Sequence, residues 1–186
     1  MSDVSCGVDL GFIETVEPWK LLSHFFPSKV GGKPAWLALD NLPKVDQLRC
    51  GNCGKICVFL MQVYAPADKL NPSAFHRTLF IFMCRDPKCS MPNRTDNLLV
   101  FRSQLGKQNS FYSGLPPNED DFDVNSCEYP KASDHQTLCA VCGCPGQWKC
   151  GKCKQVSYCD KIHQTAHWKA GHKQCCGNSD DTGKFS

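Results

Sequence analysis

Fifteen of the 186 residues are cysteine, and their spacing with histidine is the first feature of the chain that could do chemistry. From residue 139 the donors read Cys139-x2-Cys142-x7-Cys150-x2-Cys153-x5-Cys159-x3-His163-x8-His172-x3-Cys176. A C-x2-C pair forms a knuckle whose two sulfurs face one zinc ion at about 2.3 Å, and four such donors complete a tetrahedron. Eight donors therefore make two sites. The two knuckles stand too close together to serve one ion comfortably, so a cross-brace is expected, first pair with third and second with fourth. Site one takes Cys139, Cys142, Cys159 and His163, and site two takes Cys150, Cys153, His172 and Cys176. His167 competes with His163, but Cys159 and His163 are i, i+4 and share a helical face. His167 is then read as a solvated helix position. Cys144 and Cys175 fall out of register and are read as small buried or half-buried thiols.

A second group lies upstream. Cys50-x2-Cys53 precedes, and Cys84-x4-Cys89 follows, two strand candidates at residues 56–64 and 75–83 joined by a proline-containing loop. An antiparallel hairpin returns the chain to the end where it began, so Cys50, Cys53, Cys84 and Cys89 should meet as a zinc-ribbon-like site that closes a small sheet. Cys57 is a rival, but at the start of the strand it should point away from the knuckle. A redox reading of Cys50-Gly51-Asn52-Cys53 would need a strand before it and a helix after; a strand follows instead.

The elements that must position these donors divide the chain into zones. Residues 1–112 read as a β-rich domain, with turns and short strands before residue 50 and a third strand candidate at 98–101. Residues 113–134, with six acidic residues and three prolines, read as an acidic linker. Residues 135–177 form the finger, with a helix expected over 160–168, and residues 178–186 read as a disordered tail. The fold class expected is α+β, mostly β, built from small zinc-stabilised modules.

Composition narrows the function. A mean hydropathy of −0.35 with 41% hydrophobic residues suits a core-forming chain. The longest apolar runs fall far short of the ~20 residues that cross a bilayer, so no membrane association is expected. Residues 1–10 carry no secretory signal, which points to the cytoplasm and nucleus, where thiols stay reduced and bind metal rather than pair. For the same reason Asn93-Arg94-Thr95 carries no meaning as a glycosylation pattern. The net charge of +3 turns slightly negative once thiolates hold zinc, so bulk charge gives no argument for nucleic acid. His24 and His76 stand in no catalytic motif and are read as surface or strand histidines, and no catalytic residue is expected.

With Tyr158 before Cys159 and Trp168-Lys169-Ala170-Gly171-His172 before the last ligand, the C-terminal cluster resembles the MYND finger, departing from its usual form at His163, where most members have cysteine. A RING ligase would need a closing C-x2-C after the histidine, and a SET methyltransferase its Asn-His-Ser motif; both are missing. The MYND resemblance implies binding of short proline-containing peptides, such as those of corepressors, and places Gln164 and Trp168 in the peptide groove. Trp168 also suits core packing between the two sites.

Leu10-Gly11-Phe12, the run from Phe26-Pro27-Ser28 through Gly31-Gly32-Lys33-Pro34-Ala35-Trp36-Leu37, Gln62-Val63-Tyr64-Ala65-Pro66, Phe75-His76-Arg77, Val100-Phe101-Arg102 and Phe111-Tyr112 resemble the programmed cell death protein 2 family. The resemblance spans residues 10–176. It implies a non-enzymatic, zinc-dependent adaptor or chaperone that binds a small-subunit ribosomal protein and supports ribosome biogenesis, with links to apoptosis and cell proliferation. The alternative is a nuclear transcriptional regulator binding corepressors or DNA through the MYND finger. Members of the family continue into a C-terminal domain that these residues do not include, so the chain reads as a splice form or fragment that should hold a ribosomal client poorly.

Overall fold

The computed structural model describes residues 10–120, 122–123 and 129–177. The expected disordered tail, 178–186, lies outside the described residues, as do Asp121 and Glu128 of the acidic stretch. A four-stranded antiparallel sheet, in the order β1-β2-β3-β4, joins β1 (Lys29–Val30), β2 (Val58–Tyr64), β3 (His76–Met83) and β4 (Leu98–Leu105). Chain order and spatial order coincide because each connection returns directly beside the strand it leaves. β4 runs four residues further than its sequence predicts. Arg102 to Leu105 continue the ladder opposite His76 to Leu79, so pairing with β3 extends a strand whose own β signal has ended.

Side-chain alternation assigns the faces. On β3, His76, Thr78, Phe80 and Phe82 are buried while their neighbours are half-exposed. The segment from Ala35 to Leu48 lies across this inner face, placing Trp36, Leu37, Leu39, Leu42 and Leu48 in one core with Phe59, Phe80 and Phe82. Trp36 and Phe80 have ring centroids 4.8 Å apart, and Phe59 meets Phe82 edge-on at 5.6 Å. Before residue 50 the chain turns as expected, but mostly through single 3-10 turns (Pro18–Leu21, Ser23–Phe25, Val45–Leu48) rather than strands.

One buried polar side chain fastens this segment to the sheet. Gln62 on β2 is 1% exposed. Its Oε1 accepts from Ala35 N at 2.9 Å, and its Nε2 donates to Pro27 O at 2.9 Å and Ala35 O at 3.2 Å. A buried amide is tolerated when its donors and acceptor are satisfied, and these bonds span the turn containing Gly31 and Gly32, both at positive φ.

The outer face carries an apolar row beside Arg77, Arg102 and Gln104. Register places Val30, Met61, Ile81 and Val100 in one row across all four strands, with Val30 54% and Val100 61% exposed. Antiparallel sheets with a solvated face usually alternate apolar with polar, and this row departs from that pattern.

The second module holds a short hairpin, β5 (Trp148–Lys149) with β6 (Ser157–Tyr158), and the helix α1 (Lys161–His167). Asp160 caps α1 by accepting from His163 N at 2.7 Å. A wide turn, Trp168–His172, follows and kinks at Gly171 (φ 143) before α2 (Lys173–Cys175). The two modules share side chains. Ala132 and Cys144 belong to the first core, and Val45 belongs to the second, with Cys139, Val156, Tyr158 and Cys159. Between them, Trp36 Nε1 donates to Gly143 O at 2.8 Å. Residues between the modules also make contacts, because Phe122 stacks on Trp19 at 4.6 Å and Tyr129 on His24 at 4.2 Å. No described helix is long and apolar enough to cross a membrane.

Candidate metal centres

Among the described residues, three groups of four donors converge, each with its donor atoms within 4.8 Å of one another. They are Cys50, Cys53, Cys84 and Cys89; Cys139, Cys142, Cys159 and His163; and Cys150, Cys153, His172 and Cys176.

In the first, Cys50 and Cys53 sit on a turn closed by Gly54 N to Cys50 O (2.9 Å) and Cys50 N to Lys55 O (2.8 Å), with Gly54 at φ +69. Cys84 follows β3 directly and Cys89 ends a short turn, Pro87–Cys89, capped by the Asp86 carboxylate accepting from Lys88 N at 3.1 Å. The β2–β3 hairpin brings these turns together, and a Lys55–Asp86 ion pair of 2.7 Å ties them. Lys55 is well exposed, so this pair contributes orientation more than stability. Cys53 Sγ lies 3.6 Å from Cys84 Sγ. The backbone N–H of Cys53 draws the Cys50 thiol down to about 7, towards the thiolate that binds metal. Cys57 is buried outside the cluster, and burial, aided by the neighbouring thiolates, pushes its thiol up to about 12.

In the second, Gly143 N closes the first knuckle onto Cys139 O at 2.9 Å and Cys139 N bonds Cys144 O at 2.7 Å. β6 delivers Cys159, and the capped first turn of α1 delivers His163, whose Nδ1 lies 3.0 Å from Cys159 Sγ and 3.6 Å from Cys139 Sγ. Cys142 and Cys159 are 3.8 Å apart. Hydrogen bonds donated by the His163 imidazole to the Cys139 and Cys142 sulfurs raise it to about 10, against its burial, so the site favours a positive charge at its centre. In the third, His172 Nε2 stands 3.3 Å from Cys150 Sγ and 3.7 Å from Cys153 Sγ, with Cys150 and Cys176 3.8 Å apart. The kink at Gly171 turns His172 inward.

The donor spacing is compatible with a metal. Bonds of about 2.3 Å in a tetrahedron give sulfur-to-sulfur edges of about 3.8 Å. The observed sulfur separations, 3.6 to 3.8 Å, are of that size, and the donor sets, four cysteines or three with one histidine, are compatible with zinc. The pairing between the last two groups follows the cross-brace pattern.

His167 corrects an expectation. It is 4% exposed rather than solvated, its Nδ1 is 3.0 Å from Tyr158 Oη, and its ring stacks on His172 at 5.0 Å. The same i, i+4 spacing that turns His163 inward from Cys159 turns His167 inward from His163, and that signal was present in the sequence. His76 is likewise a strand histidine on the buried face, stacked on Phe26 at 4.1 Å. Gln164 and Trp168 are half-buried one turn apart, and Trp168 packs on the second core and meets His172 edge-on at 5.8 Å.

Residues 7–119 match the family described as programmed cell death protein 2, N-terminal domain, and residues 139–176 match the MYND finger. Programmed cell death protein 2 of Rattus norvegicus is 48% identical over 93% of this chain and 49% of its own length. The Mus musculus protein is 47% identical over 93% and 49%, and that of Bos taurus 45% over 97% and 52%. The chain thus spans about half the length of the curated relatives it matches. No solved structure matches it significantly. With long matches in both modules and an unbroken order, the chain belongs to the programmed cell death protein 2 family.

Proposed function

We propose that the chain is a zinc-dependent, non-catalytic protein-binding adaptor or chaperone that supports ribosome biogenesis by engaging a small-subunit ribosomal protein in the cytoplasm and nucleus. The observation that carries the zinc reading is the convergence, among the described residues, of twelve donors into three groups of four. Zinc at each site would act as a structural cross-link, contributing folding free energy in modules too small to bury a large core of their own. The ligands are the twelve residues of the three groups. Residues 1–112 and 135–177 are the two working modules, and Gln164 and Trp168 line the peptide groove of the finger.

What supports a protein partner is the family and its MYND finger, a protein-interaction module. A basic ribosomal protein suits the acidic stretch that includes Glu119, Asp120 and Asp123, which gives encounter rate more than affinity. The test is an affinity capture with the zinc-loaded chain and with Trp168→Ala. Recovery of a small-subunit ribosomal protein, even weakly held, supports the reading. Recovery of nucleic acid instead, with affinity falling steeply with salt, overturns it.

A further inference from the structure

A second binding surface lies on the finger, away from Gln164 and Trp168. On α1, Ile162, Thr165 and Ala166 follow the spacing i, i+3, i+4, and Lys169 in the wide turn that follows extends the same stripe at i+7. This stripe faces out, with Ile162 68% exposed, while His163 and His167 face the finger's interior. Lys161, Ile162, Thr165, Ala166 and Lys169 line a shallow cavity of about 570 Å³. A neighbouring cavity of about 410 Å³ is floored by Ala140, Val141, Ala166 and Ala170 and walled by Lys33 of the N-terminal module. Ala166 lines both, so the two form one groove running along the helix to the junction of the modules.

The junction wall is fixed. Lys33 is held against the finger because a Cβ on Gly143 would lie only 2.9 Å from Lys33 Cβ, and the Trp36–Gly143 bond locks the modules three residues away. The groove's floor is apolar and small, its charged lining is Lys33, Lys161 and Lys169, and among the described residues no carboxylate lines either cavity. From Cys139 to Cys176 the finger has six lysines and one acid, Asp160, whose carboxylate is engaged as the helix cap. We propose that this groove binds an acidic segment of a partner protein, with small apolar side chains on the alanine floor and carboxylates on the lysine rim. The basic client of the proposed function does not suit it, so it would serve a different partner.

The test is calorimetric titration of the full zinc-loaded chain with a nine-residue peptide alternating alanine and glutamate, and with its lysine counterpart. The acidic peptide should bind saturably, at least tenfold more tightly than the lysine form. Ala166→Arg, which fills the shared floor, and the pair Lys161→Glu with Lys169→Glu should each weaken it at least tenfold while retaining the wild-type zinc content. Equal binding of both peptides, no binding below 1 mM, indifference to Ala166→Arg, or a single-stranded RNA 10-mer binding as tightly as the peptide would each overturn the proposal.

Discussion

The indole N–H of Trp36 donates to the carbonyl oxygen of Gly143 across 2.8 Å of space and 107 positions of sequence, inside a buried boundary. Trp36→Phe keeps a ring against Phe80 but strands that carbonyl. A buried acceptor without a donor costs about 1–3 kcal/mol, so the urea midpoint should fall accordingly. If the bond couples the modules, amide signals around Cys139 to Cys144 should shift as well; a change confined to residues 35–82 would argue against coupling.

Gly143→Ala should be worse. The position has φ +68, and the new Cβ would stand 2.9 Å from Lys33 Cβ. Left-handed backbone alone costs a side-chain-bearing residue about 1–2 kcal/mol, before the clash. A thermal midpoint unchanged from wild type would contradict the packing described here.

Native mass spectrometry should count three zinc ions per chain. His163→Ala should lose one ion and His163→Cys should keep all three, because the cysteine restores a thiolate donor on the same helical face. His167→Ala should keep three ions yet lose about 2–3 kcal/mol, since a buried ring and its contact with Tyr158 both go. Loss of an ion in His167→Ala rather than His163→Ala would mean the helix register is shifted.

His76 gives the fold an acid-sensitive term. Burial lowers its imidazole from the ordinary 6.5. The unfolded chain therefore takes up a proton near pH 6.5 that the folded chain resists, so the contribution is fully present above that value and is lost as pH falls below it. Comparing wild type with His76→Gln at saturating zinc between pH 7.5 and 5.5, the stability gap should narrow on acidification. A constant gap would show that His76 titrates alike in both states.

The metal groups were legible in the sequence because knuckles are local devices: two cysteines and a tight turn settle their own geometry, and a hairpin needs only alternation to bring two knuckles together. Strand bounds held to within a residue or two where alternation was strong, at residues 56–64 and 75–83. What sequence left out was set by distant partners. β4 extends past residue 101 because β3 offers it a ladder, and Gly143 reads locally as a knuckle glycine while its second role depends on Lys33 and Trp36, more than a hundred residues away. His167 belongs between these cases, since its spacing was legible and the usual exposure of helical histidines outweighed it.

The row from Val30 through Met61 and Ile81 to Val100 leaves an apolar band on the outer face of the sheet. In colloidal terms the chain carries a flat adhesive plate, whose attraction outlasts added salt because it does not depend on charge. Sulfate or phosphate buffers should bring on turbidity at lower protein concentration than chloride does, and mild detergent should clear it.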